Sequence, residues 1–440
     1  MSLITPREIP PTVALDAASL ARVRRQFPAA ARDATGRRRA FLDNGAGTLV
    51  CRAAAEREAR ARIDWSANTG NVFPESRGAE ATILAGREAV ADFLNAEGPH
   101  AILSGESATG LLFSLSYALG RTFHGDENVV LTAYEHFANV SPWEELARTG
   151  KIHEVRFAPF ETETFLLDLD DFASRVDRNT KVVAVAAASN FLGTRSPLPE
   201  IARIAHEAGA LLVVDAVHHV CHGPTDVRAA GADALVFSGY KLFSRHGSFL
   251  YLRPDLVEGL RPYKVDASPQ HGPEKWEWGT RDQAMFAAMS GAIDYLASLA
   301  GDPRSSAKPG APRRAHLRKA MEAIEGYELA LSRLLLRGDR PTPGILDVPG
   351  LTLFGPKEIP DGLGRDPTFT FKLAGFEDPE LSRILYERYG LAVGAEDYFS
   401  RVPRLYGMET AMRATFVHYN TRADAVTLLR ALHELSGTRS

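Results

Sequence analysis

The feature that most constrains this chain is a series of short apolar runs separated by stretches with helical spacing, from about residue 40 to residue 255. Leu211-Leu212-Val213-Val214 is apolar throughout, and Asn128 to Thr132, Val155 to Phe157, Lys181 to Ala187 and the run ending in Ala234-Leu235-Val236 continue the series. Strands buried on both faces read as near-continuous apolar runs rather than alternating ones. Between them Ala79 to Asn95, Leu111 to Leu119 and Pro199 to Ala208 carry apolar residues at helical spacing. Strand and helix in alternation predict an α/β fold, a mostly parallel sheet with helices on both faces.

With 440 residues the chain is long enough for two domains. Ala300 to Arg314, rich in Gly, Pro, Ser and Arg, reads as a linker or exposed loop. We therefore divide the chain into an N-terminal arm (1–30, with a helix over Asp16 to Phe27), a large domain (31–300) and a smaller α+β domain (301–440). The last contains helices over Ala315 to Leu335, Pro379 to Tyr389 and Ala423 to Leu435, and strands at Thr368 to Lys372, Leu391 to Val393 and Met412 to Phe416. Lys+Arg 51 against Asp+Glu 55 leaves no basic footprint for nucleic acid. There is no apolar run of about 18 residues to span a membrane, and Met1 to Pro6 lack the basic-then-apolar pattern of a signal peptide. A cytoplasmic location is the expectation. Two cysteines, Cys51 and Cys221, are too few for a disulfide framework.

Chemistry is concentrated at strand ends. Phe237-Ser238-Gly239-Tyr240-Lys241-Leu242-Phe243 follows one apolar run and leads into another, Phe249 to Leu252. A lysine seated there has little access to water. Burial lowers its pKa, and a neutral amine can form a Schiff base, although a lysine snorkelling from a strand end gives the same local pattern. Asp215 closes the 211–214 run, and a carboxylate at the end of an apolar strand needs a cationic partner or a turn to cap. Ser104 to Gly110 between a strand and a helix suits an anion, or is an ordinary helix cap by Ser107 or Thr109. His136 lies beyond the 128–132 strand, where open α/β sheets bind ligands. Asp43-Asn44-Gly45-Ala46 is either a plain turn or backbone brought close to a substrate. His218, His219 and His222 with Cys221 invite a metal reading, but no second Cys/His cluster with ligand spacing accompanies them, and no metal is expected.

The order of these motifs, from Phe41-Leu42-Asp43-Asn44 to Tyr419-Asn420-Thr421, resembles the class V aminotransferase, or cysteine-desulfurase-like, group of fold-type I pyridoxal 5'-phosphate (PLP) enzymes. The resemblance implies that Lys241 is the Schiff-base lysine and Asp215 the carboxylate that keeps the cofactor ring protonated, with His136 stacked on that ring. It implies phosphate contacts from Ser107, Ala108, Thr109, Ser238 and Tyr240, and Asn190 and His218 beside the ring hydroxyl. Arg413 matches the arginine that grips the substrate's α-carboxylate, with Asn44 and Ala46 also at the substrate. Gly279 and Thr280 match a loop that reaches the phosphate of a second subunit, so a homodimer with shared sites is implied.

Two positions depart from the family pattern. A desulfurase carries its sulfur-accepting cysteine between Val393 and Arg413, where Gly394 to Pro403 contain none. Gly394 stands where relatives have an arginine. The expectation drawn from these departures is a PLP-dependent carbon–sulfur lyase, eliminating a thiol from an S-substituted cysteine in a specialised pathway. Transamination, epimerisation or decarboxylation-coupled deamination of an amino acid are the alternatives, and a persulfide-forming cysteine desulfurase is disfavoured. Tyr134, Tyr240 and Tyr398 are candidate acids for the leaving thiolate.

Overall fold

The computed structural model describes residues 15–301, 311–359 and 364–437. Residues 1–14 of the expected arm and 302–310 of the expected linker lie outside the described residues.

The apolar runs form one seven-stranded sheet in the order Ile102–Gly105, Ser248–Leu252, Ala234–Ser238, Leu211–Asp215, Thr180–Ala186, Asn128–Thr132, Glu154–Ala158. Neighbours run parallel except for Ser248–Leu252, which is antiparallel on both sides. The five inner strands are almost wholly buried, which is why their sequences show no polar alternation. Helices cover both faces. The helix Gln283–Ser298 is itself nearly all buried, between the sheet and the helices Arg52–Asp64 and Pro74–Leu94. Small residues allow that approach: a Cβ on Gly86 would lie 2.5 Å from Phe286 Cβ, and one on Gly291 would lie 2.6 Å from the Ala53 carbonyl.

A second, all-antiparallel sheet runs Leu351–Phe354, Thr368–Leu373, Ala411–Thr415, Gly394–Glu396. It has its own core of Phe369, Phe371, Met412, Phe416, Leu428 and Leu432. Ala40–Phe41 pairs in parallel with Leu391–Ala392. Ala40 and Leu42 thus sit in the second core, although the sequence division groups them with the large sheet. The Asp43-Asn44-Gly45 turn lies where the chain crosses from one core to the other. The N-terminal helix Ala17–Gln26 is fastened to its own chain. Phe27 packs 4.6 Å from the Tyr419 ring and 5.5 Å from that of Phe243, and Arg24 donates to the Tyr419 carbonyl at 2.8 Å.

A buried ion pair ties the first strand to the helix layer. Arg87 Nη2 meets Glu277 Oε2 at 2.6 Å, and Glu277 Oε1 accepts from the Ser104 amide at 2.9 Å. Removing one partner leaves a buried charge without its counter-ion, and the exposed Glu274 at 3.5 Å is a weak substitute. Glu277→Ala is expected to lower the unfolding free energy in urea by about 3 kcal/mol.

Candidate active site

Lys241 ends the tight turn Gly239–Lys241 that follows the 234–238 strand. Its side chain is buried, and Nζ donates to the Gly45 carbonyl. The turn is clasped from the 45–51 segment: Thr48 Oγ1 donates to the Tyr240 carbonyl and accepts from the Phe243 amide, each at 3.0 Å. The Phe243 carbonyl accepts from the Cys51 amide at 2.9 Å. These bonds hold Phe243 at φ 58°, a left-handed conformation that a bulky residue adopts only when its surroundings impose it. Burial, with the Arg413 charge adding to it, pushes the Lys241 amine down to about 7.

Asp215 closes the next strand, in register with Ala186. It accepts one hydrogen bond, from the Val217 amide at 2.9 Å, and no lysine or arginine pairs with it among the described residues. Burial raises it to about 6. His136 follows the 128–132 strand, with Nδ1 accepting from the Ala138 amide at 2.9 Å. That bond leaves Nε2 as its protonated nitrogen, and burial lowers the imidazole to about 4, so the ring is neutral.

Arg413 lies in the middle of the 411–415 strand of the second sheet and is 1 % exposed. Nη1 donates to the Asn190 carbonyl at 3.0 Å, the nearest carboxylate oxygen is Asp43 Oδ1 at 3.8 Å, and Nε has no partner. Asn190 Oδ1 and Asp43 Oδ1 are likewise buried without partners. The two sheets therefore bring Lys241, Asp215, His136, Asn190 and Arg413 to one place, with polar atoms left over on several walls.

The other expected residues divide. Ser107 caps the helix Ala108–Gly120, its Oγ accepting from the Gly110 amide at 3.1 Å, and Thr109 is exposed at that helix start. Ser238 Oγ is 2.9 Å from Ser248 Oγ, and the Tyr240 ring stacks on His246 at 4.5 Å. His218 is turned toward the second sheet, with Nε2 2.9 Å from Thr368 Oγ1. Asn44 is a structural staple. Its Nδ2 donates to the Thr415 carbonyl at 2.7 Å and to Asn420 Oδ1 at 3.1 Å, and Oδ1 accepts from the Tyr419 hydroxyl. Its side-chain amide is thus engaged within the protein. Ala46, Gly279 and Thr280 are exposed.

His218, His222 and Asp366 each place one ligand-type atom within 4.8 Å of the others. Asp366 is engaged by Arg195 at 2.6 Å and His219 at 3.0 Å, and His222 by Glu328 at 2.8 Å. This is a hydrogen-bonded seam between the sheets rather than an open coordination set.

Gly45, in the turn read either as plain or as backbone close to a substrate, supplies the carbonyl that receives Lys241. Two neighbours of the site escaped the sequence reading as functional residues. Glu135, fully buried, accepts from the Ala186 amide at 2.9 Å and Asn139 at 2.8 Å, and burial raises it to about 7. His246 could be found only from its stacking on Tyr240.

A seven-stranded sheet of this order, with a lysine and an aspartate at adjacent strand ends, defines a fold-type I PLP enzyme plan. The aminotransferase class V family model matches residues 40–338, and the chain belongs to that family. A probable cysteine desulfurase from Synechocystis sp. is 30% identical over 96% of this chain and 96% of its own. Cysteine desulfurases from Cronobacter sakazakii and Pectobacterium atrosepticum are 29% and 28% identical, over 95% of this chain and 99% and 98% of theirs. Among solved structures, a cysteine desulfurase from Thermococcus onnurineus NA1 superposes with a TM-score of 0.81 at 22% identity, over 99% of this chain and 100% of its own. One from Escherichia coli gives 0.78 at 23%, over 96% and 99%. These structures share the fold.

The amine of Lys241 is half neutral at about pH 7, whereas at the ordinary 10.5 it would be neutral in roughly one molecule in three thousand. Only the neutral form attacks an aldehyde. The rate at which cofactor-free protein captures PLP, trapped by borohydride and read by mass, is expected to rise as pH rises through about 7 and then level off. Lys241→Ala abolishes the adduct.

Proposed function

We propose that this protein is a PLP-dependent cysteine desulfurase, passing the sulfur of L-cysteine to an external thiol, which becomes a persulfide that a second thiol reduces to sulfide and a disulfide, and leaving alanine. The observation that carries the reading is Lys241, a buried amine poised near neutrality beside Asp215, in a chain whose full-length relatives are named cysteine desulfurases. The expectation of thiol elimination from an S-substituted cysteine, with transamination, epimerisation or deamination as alternatives, is corrected by those relatives. So is the reading that disfavoured a desulfurase. It rested on one loop without a cysteine, whereas the lysine, aspartate and arginine that act on an amino acid are all in place.

The residues fit the cofactor. Lys241 would hold its aldehyde, Asp215 its ring nitrogen, His136 its ring face, and Ser107, Thr109 and Ser238 its phosphate. When bound, PLP supplies an aldehyde for amines and a ring that takes up electrons released at Cα. Asp215, short of hydrogen bonds and of a cation, is a carboxylate waiting for a protonated partner. Lys241 Nζ would also serve as the base that takes the α-proton. Arg413, with unpaired donors, holds the α-carboxylate, a task that suits its fork geometry. The substrate is a small amino acid. Under this reading a second copy of the chain brings Gly279 and Thr280 to the phosphate.

PLP-loaded protein given L-cysteine and a reducing thiol is expected to form alanine and sulfide in equal amounts, and Lys241→Ala neither. Pyruvate and ammonia without alanine would sink the reading. Arg413→Lys, which keeps the charge but loses the fork, is expected to raise KM for cysteine by about tenfold or more while kcat changes less.

A further inference from the structure

Resting on Arg413 as the carboxylate clamp, we propose that Tyr398 is a positioning residue for that clamp, its ring serving as the platform that fixes the guanidinium plane and leaves its donors free for the substrate.

A buried guanidinium has five N–H donors to satisfy, and in most proteins carboxylates or carbonyls take them. Arg413 is held differently. Among the described residues it has one hydrogen bond, to the Asn190 carbonyl at 3.0 Å, and no carboxylate oxygen nearer than 3.8 Å. Its Cζ rests 3.6 Å from the centre of the Tyr398 ring. Gly45 also packs against it, since a Cβ there would lie 2.8 Å from both Cζ and Nε. An aromatic face attracts the cation without consuming an N–H. The contact thus orients the group and keeps its hydrogen-bonding edge unspent, as the unpartnered Nε records.

The platform is built at a conformational cost. Tyr398 and Phe399 have φ of 56° and 50°, two consecutive left-handed residues without glycine. Four bonds hold them: Asn190 Nδ2 to the Tyr398 carbonyl at 2.9 Å, the Phe137 amide to the Phe399 carbonyl at 2.8 Å, the Phe399 amide to Asp397 Oδ1 at 3.0 Å, and the Tyr398 hydroxyl to the Ala411 carbonyl at 3.0 Å. Ala411 precedes Arg413 by two residues on the same strand, so the hydroxyl pins the ring to the strand that carries the arginine. Gly394 leaves room for this, because a Cβ there would lie 2.9 Å from the Tyr398 oxygen and 2.7 Å from Asp43 Oδ1. With its hydroxyl committed to a backbone carbonyl and burial pushing its pKa up, Tyr398 does not serve as the acid that the sequence reading considered.

The test compares Tyr398→Phe, Tyr398→Leu and Arg413→Lys in PLP-loaded protein. It reads KM and kcat for L-cysteine, and calorimetric binding of 3-mercaptopropionate, which has the carboxylate and thiol but no amine to react with the cofactor. Tyr398→Phe keeps the ring and is expected to stay within about threefold of the parent in KM and Kd. Tyr398→Leu is expected to weaken KM and Kd by about tenfold, with kcat changed much less. Tyr398→Met, an unbranched filler without a ring face, takes its place where the leucine variant does not fold. Unchanged KM and Kd in the ringless variant, with only a lower melting temperature, would overturn the platform, as would equal damage from Tyr398→Phe. Should Arg413→Lys leave the Kd for 3-mercaptopropionate unchanged, the clamp itself falls and the platform with it. Weakening by Arg413→Lys but not by Tyr398→Leu removes the platform alone.

Discussion

Everything in this structure that bears on chemistry depends on burying charged groups without pairing them. Lys241, Asp215 and Arg413 are all buried, and none has a salt-bridge partner within 3.5 Å among the described residues. Burial moves each toward its neutral form: the lysine down to about 7, the aspartate up to about 6, the arginine below its ordinary value. Unpaired buried charges cost several kcal/mol each. The chain carries that cost where an incoming ring nitrogen, aldehyde and carboxylate relieve it, so binding energy and site strain are two views of one arrangement.

Such a site must be braced, because its natural tendency is to collapse or admit water. The bracing lies at the seam of the two sheets. Asn44 and Asn420 knit the 41–44 turn to the 415–420 segment, with Asn44 Nδ2 on the Thr415 carbonyl at 2.7 Å and Asn420 Nδ2 on the Phe41 carbonyl at 2.9 Å. On the far side Arg195 bridges Asp366 and Glu325, and His219 closes on Asp366. Although burial pushes the Asp366 carboxyl up, His219 and Arg195 hold it well below its usual range, so this seam stays charged and fixed. Lys241 comes from the large sheet and Arg413 from the small one. The distance between amine and carboxylate grip is therefore set by these seam bonds rather than by either sheet alone.

The sequence revealed what local pattern encodes. Val213, Val214 and Val236 sit in strands whose burial on both faces leaves no polar residue to blur them, and Asp215 and Lys241 stand out because they end such runs. Tertiary relations were not legible. Gly394–Glu396 is a strand by virtue of pairing with Ala411–Arg413, and its Gly-Ala-Glu sequence has no strand character of its own. The helix Arg52–Asp64 is masked by four arginines on its exposed face, its packing against Gln283–Ser298 depending on Ala54 and Ala61. Asn44 looked like a substrate contact because its neighbours Gly45 and Ala46 suggest close backbone approach, and only the fold reveals that its amide is spent on Thr415 and Asn420.

The contrast between the two cations of the site explains why one is a lysine and the other an arginine. Both are buried and both are pushed toward neutrality by lost hydration. The lysine starts at 10.5 and arrives near 7, where it is a nucleophile for half of the molecules. Burial also pushes the arginine down, but a guanidinium starts so much higher that it stays charged in proteins. A guanidinium is also the more weakly hydrated of the two and lies flat on an aromatic ring, which lets Tyr398 and Gly45 hold it where no carboxylate does. One buried site thus yields a neutral amine and a permanent cation side by side. Exchanging the two residue types would leave the site with a cation that cannot attack and a clamp without a fork to match a carboxylate.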